Sequence, residues 1–144
     1  MATVNCYLAF KDNCEEAFNF YKSVFGGEFT YISKFKDMPP SDEFKLTEND
    51  MEKVMHVSLP ISKETILMGS DMADCKSDFY KEGNNFSLSV DTDSKDEATK
   101  YFNDLAAGGQ VTMPLMDTFW GSYFGMLTDK FGIQWMVSYQ TEQK

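Results

Sequence analysis

A chain of 144 residues, 42% hydrophobic and 15% aromatic, has apolar area for one ordinary core or two small halves that share one, which excludes a disordered protein. Its formal net charge of -10 and pI near 4.4 repel phosphate backbones and anionic lipid, so nucleic acid and membrane surfaces are poor partners. All 13 basic residues are lysines, and the guanidinium fork that grips carboxylates and phosphates in two places is missing.

The first residues lack the basic start and apolar run of a secretory signal, which predicts a cytoplasmic protein. Residues 4–10 alternate, with Cys6, Leu8 and Phe10 on one face and Asn5, Tyr7 and Ala9 on the other, as in a strand with one apolar side. Asn13 followed by Glu16 forms a capping-box pattern, and Cys14, Ala17, Phe18, Tyr21 and Phe25 recur at helical spacing until Gly26 and Gly27 stop the helix. Residues 28–36 read as a strand, and residues 37–53, with Pro39, Pro40 and many acidic side chains, as an exposed loop able to act as a lid. A strand over 54–59 places Met55, Val57 and Leu59 against the core and His56 and Ser58 opposite; 65–70 is its hairpin partner, and 71–84 a polar connection.

The pattern then begins again. Residues 85–90 form a strand with Phe86, Leu88 and Val90 inward and Asn85, Ser87 and Ser89 outward. Ser94 with Glu97 caps a second helix carrying Ala98, Tyr101, Phe102 and Leu105 on its apolar stripe, which Gly108 and Gly109 end. Strands over 110–115, 123–128 and 133–139 complete the half. The order βαβββ thus occurs twice, predicting an α+β fold within a single domain, 1–144, built from module one, 1–72, and module two, 84–140. Neither half buries both faces of its sheet alone, so the expected arrangement is one curved mixed sheet around a cleft, with helices outside. Cys6, Cys14 and Cys75 share no metal or redox spacing and read as reduced, mostly structural thiols.

The last hairpin is the densest stretch. Trp120, Phe124 and Trp135 stand among Gly121, Gly125 and Gly132, and Asp129 with Gly132 supplies the turn chemistry. Together with the first helix and the doubled βαβββ order, the run Trp120-Gly121 … Phe124-Gly125 … Asp129-Lys130-Phe131-Gly132-Ile133-Gln134-Trp135 resembles the vicinal oxygen chelate superfamily. The nearer likeness is to its PhnB-type branch of glyoxalase and bleomycin-resistance relatives, often labelled 3-demethylubiquinone methyltransferase-like.

In metal-using members, the resemblance implies, a His or Gln from each opening strand and a Glu from each closing strand surround one divalent ion. Those positions fall here on Asn5, Asn85 and Met136, and 65–70 offers no carboxylate. Amide and thioether donors do not hold a hard or borderline dication, so no metal and no other cofactor is expected. A zinc site would have to be assembled from His56, Asp71 and Glu64. Methyl transfer is not expected either, because residues 10–14 follow the first strand without a glycine-rich turn. The function expected is a small-molecule binding protein whose cleft is walled by Asn5, Tyr7, His56, Ser58, Asn85, Ser87, Trp120, Phe124 and Met136. The alternative is a metal-dependent lyase, isomerase or dioxygenase. The resemblance also implies a homodimer.

Overall fold

The structure is a computed structural model that describes residues 2–39 and 45–141. The chain divides into two compact units, residues 1–81 and 82–144. In the first, β1 (Cys6–Phe10), α1 (Cys14–Phe25), β2 (Tyr31–Lys34), β3 (Val54–Pro60) and β4 (Ile66–Asp71) form a four-stranded sheet of order β1-β4-β3-β2. In the second, β5 (Leu88–Asp91), α2 (Lys95–Ala106), β6 (Gln110–Asp117), β7 (Ser122–Thr128) and β8 (Gln134–Gln140) give the matching order β5-β8-β7-β6. Each opening strand runs parallel to its closing strand, and the remaining pairs are antiparallel. The doubled βαβββ order and the α+β class are therefore present as the sequence pattern implied. The strands pair as two four-stranded sheets.

In the first unit α1 buries Cys14, Ala17, Phe18, Tyr21 and Val24 and lies over β3 and β4. The side of the sheet it covers carries Leu8, Phe10, Val57, Leu59 and Leu67, each at most 4% exposed. Phe18 sits edge-on to both Phe10 and Tyr21, at ring-centroid distances of 6.2 and 5.6 Å. The close approach depends on Gly69: a Cβ there would lie 2.6 Å from Phe18 Cε1 and 2.8 Å from the Leu8 carbonyl oxygen. Gly69→Ala is expected to cost about 1–3 kcal/mol of stability through overpacking. An unchanged urea midpoint would remove the contact from the account.

The start of α1 departs from the sequence pattern. Asn13 has φ -123° and ψ 25°, outside the extended region an N-cap favours, and its side chain makes no capping bond. The Cys14 N–H instead donates to Asp71 Oδ1 at 2.9 Å, so the cap comes from the end of β4. α2 follows the local pattern: the Glu97 N–H donates to Ser94 Oγ at 3.1 Å, and Glu97 Oε1 accepts from the Asp93 N–H at 3.3 Å. Its Ala98, Phe102 and Leu105 are buried, with Phe102 over Gly125 of β7, where a Cβ would come within 2.8 Å of the ring.

Two further expectations are corrected. A bulge in the β2–β3 ladder pairs Ser33 with His56 but Lys34 with Val54, so Val54 takes the buried place expected of Met55. Phe86 is 55% exposed because β5 starts only at Leu88, which leaves Asn85 and Ser87 ahead of the strand. Cys14 is buried and Cys6 half-buried, but Cys75 is exposed. Burial, then the nearby Asp71 and Glu15 charges, push the Cys14 thiol well above its ordinary value, which makes it inert.

Most described residues of 37–53 are exposed and irregular, as expected of a loop, with 40–44 outside the described residues, but the end of the stretch is anchored. Asp50 is fully buried, accepting N–H bonds from Thr47 and Asp74, each at 2.9 Å. Lys53 Nζ bridges Asp50 and Asp74 at 3.3 and 3.0 Å. Burial works against the Asp50 charge, but those N–H groups and the ammonium outweigh it and hold the carboxyl below its usual range. The periodicity missed this because the segment is tied down by polar contacts.

Candidate functional site

Alternation along each strand sends side chains at every second position to the face that α1 does not cover. In the first unit the register lines up Tyr7, Met68, Ser58 and Tyr31 in one row across all four strands. Alongside it, Ser70 pairs with Ala9 and His56 with Ser33. Tyr7 and Tyr31 are 49% and 51% exposed, too much for core residues. Both rings lean on the imidazole, with centroids 5.7 Å from His56 in each case. Tyr7 OH lies 3.4 Å from His56 Nδ1, and Ser58 Oγ lies 3.0 Å from His56 Nε2. The chain's only histidine is thus held between two hydroxyls and two rings. It can accept or donate a proton through either nitrogen.

Two members of this group escaped the sequence reading. Tyr31 and Ser33 belong to the same face because they stand opposite Ser58 and His56. The β2–β3 register was the missing information, and a short strand followed by a bulge does not reveal it.

In the second unit, Met136 lies beside Met126 and Ser89, and Phe124 beside Ser138, on the face opposite the buried Trp135 and Val137. Trp120 is 43% exposed, and its ring packs edge-on to Phe124 at 6.0 Å. Asn85 and Ser87 precede β5. Of the nine residues chosen from sequence, Tyr7, His56 and Ser58 meet on one face of the first sheet, while Trp120 and Phe124 meet in the second unit.

Asn5 precedes β1, and its Oδ1 accepts the Ile66 N–H at 3.3 Å. Asn5, Asn85 and Met136 are each a poor ligand for a dication: the Asn5 amide oxygen is engaged by the Ile66 N–H, Asn85 stands ahead of β5, and the Met136 sulfur is soft. The zinc set of His56, Asp71 and Glu64 is not assembled either. Asp71 is buried on the helix side of the sheet, where Oδ1 and Oδ2 accept the Cys14 and Val54 N–H groups. Among the described residues, no three His, Cys, Asp or Glu side chains group as a metal site requires.

Family comparison agrees with this architecture. The family model described as 3-demethylubiquinone-9 3-methyltransferase matches residues 2–138. The chain belongs to this family. It is 32% identical over 143 residues to protein YjdN of Escherichia coli (strain K12), covering 95% of each chain. The crystal structure of PA1353 from Pseudomonas aeruginosa is similar at 38% identity and TM-score 0.81, over 99% of this chain and 100% of that one. A glyoxalase/bleomycin resistance protein/dioxygenase family enzyme from Burkholderia phytofirmans PsJN shares the fold, with TM-score 0.61 at 15% identity over 95% and 99% of the two chains. No helix among the described residues is long and apolar enough to cross a membrane.

Proposed function

We propose that this member of the family is a small-molecule binding protein of the glyoxalase/bleomycin-resistance type, acting without a metal, and that the uncovered face of the first sheet is its binding surface. The observation that carries the reading is the Tyr7–His56–Ser58 chain of hydrogen-bonding groups, flanked by Tyr31 and left half open to solvent. Rigid strands holding a few polar atoms among aromatic rings are what an orienting pocket for a small ligand needs.

Methyl transfer, which the family description names, finds no support in the local geometry. The turn before α1 has no glycine, and the helix N-terminus that would receive a cofactor's polar end is capped by Asp71. In the same reading the protein pairs as a homodimer in the cytoplasm, and light scattering on the purified chain checks the pairing.

A thermal-shift screen of neutral and charged metabolites, followed by titration of each hit, tests the binding role. His56→Ala is expected to weaken a true ligand by about tenfold or more, since it removes the hub of the hydrogen bonds. Because His56 is not a core residue, the unliganded variant should stay within about 1 kcal/mol of wild-type stability. One histidine in the chain gives one imidazole Hε1 signal by NMR, and ligand must shift it. A screen without hits, or hits that leave that signal in place, defeats the reading; stoichiometric bound metal restoring turnover would replace it with the metalloenzyme alternative.

A further inference from the structure

Resting on that binding role, we propose that the first sheet's uncovered face selects uncharged aromatic molecules bearing a carbonyl oxygen, and that the Ser33 hydroxyl is the group that binds this oxygen. The chain carries 13 basic and 23 acidic residues, yet the uncovered positions of β1, β2, β3 and β4 include no Lys, Asp or Glu. A ligand with a formal charge would lose water there without meeting a permanently charged partner. The net charge of -10 adds a long-range penalty for anions. What the face does offer is two half-exposed tyrosine rings, an imidazole and several hydroxyls, which suit a flat ring with a few neutral polar atoms.

Ser33 supplies a second and independent observation. It is 9% exposed, directly across the ladder from His56, and its Oγ is the one buried side-chain oxygen without a hydrogen-bond partner among the described residues. Buried hydroxyls are nearly always paired, and an unpaired one asks for a missing group. Tyr7 and Ser58 already meet the two ring nitrogens of His56, whereas Ser33 still has a hydrogen to give. A carbonyl oxygen accepts such a bond without bringing a charge. Tyr31 stands two residues before Ser33 on the same edge strand and is half exposed, so its side chain has room to change rotamer as a ligand reaches Ser33.

The test compares four probes of one ring size, acetophenone, benzoate, benzylamine and ethylbenzene, by titration calorimetry and by the His56 imidazole signal. Acetophenone is expected to bind at least about tenfold more tightly than either charged probe. Ser33→Ala should weaken acetophenone by about tenfold and leave ethylbenzene unchanged, while the unliganded variant melts no lower than wild type because an orphaned hydroxyl has been removed. Benzoate or benzylamine binding as well as acetophenone overturns the proposed selectivity while leaving the binding role intact. Acetophenone affinity unchanged in Ser33→Ala removes Ser33 from the site. If none of the four probes binds, the inference fails, and the wider metabolite screen decides separately whether the binding role fails with it.

Discussion

Asp129→Ala is expected to lower stability by about 3–5 kcal/mol, the largest effect of any single change considered, because it strands several donors at once. Asp129 is 3% exposed. Its Oδ1 accepts the N–H groups of Phe131 and Ile133 at 2.8 and 3.1 Å, and its Oδ2 accepts the Trp135 indole N–H at 2.8 Å. The carboxylate therefore fixes the β7–β8 turn and holds a core tryptophan in place. Gly132, at φ 89°, completes the turn by donating its N–H to the Asp129 carbonyl at 3.0 Å. Against a total stability of about 5–15 kcal/mol for an ordinary domain, such a loss leaves the second unit close to unfolding. Urea unfolding followed by tryptophan fluorescence measures it, and a loss under about 1 kcal/mol would show that water replaces the carboxylate.

Asp71→Asn is expected to cost about 2–3 kcal/mol, since an amide offers one acceptor oxygen where two buried N–H groups need one each. Those groups belong to Cys14, where α1 begins, and Val54, where β3 begins, at 2.9 and 2.8 Å. The pH dependence carries a distinct sign. Burial raises the Asp71 carboxyl above its ordinary 3.8, with the two N–H bonds and Lys53 opposing, so the folded chain binds this proton more readily than the unfolded one. Its contribution therefore falls as pH rises from 3.8 to the raised value. Asp50 and Asp74 are held below 3.8, so the stability they add is present above that pH and drains away as pH falls through their lowered values. In Asp71→Asn only the first trend should vanish, and a variant whose stability just above pH 3.8 retains that decline would refute the assignment.

Much of the fold was readable because alternation and helical spacing are local signals. Cys6 to Phe10, the cap of α2 and the buried stripe of α1, except that Val24 takes the last place expected of Phe25, all follow from neighbours a few residues apart. The misses share one cause. Asp71 capping α1, Asp50 reaching Asp74, and Ser33 standing across from His56 are pairings between distant parts of the chain, which periodicity does not encode. The candidate site was legible to the extent that strand parity was: His56 and Ser58 were assigned the correct face, and Tyr7 with them. Tyr31 and Ser33 required the ladder.

The two helix starts also limit how freely the helices can be exchanged between the units. α2 carries its own cap in Ser94, three residues from the amide it serves, and would bring it along in a graft. α1 depends on a carboxylate 57 residues downstream, so transplanting it without the end of β4 would deliver a helix with a bare first turn. Swapping the helices alone between the units, in the laboratory or in evolution, is therefore permitted more readily for α2 than for α1.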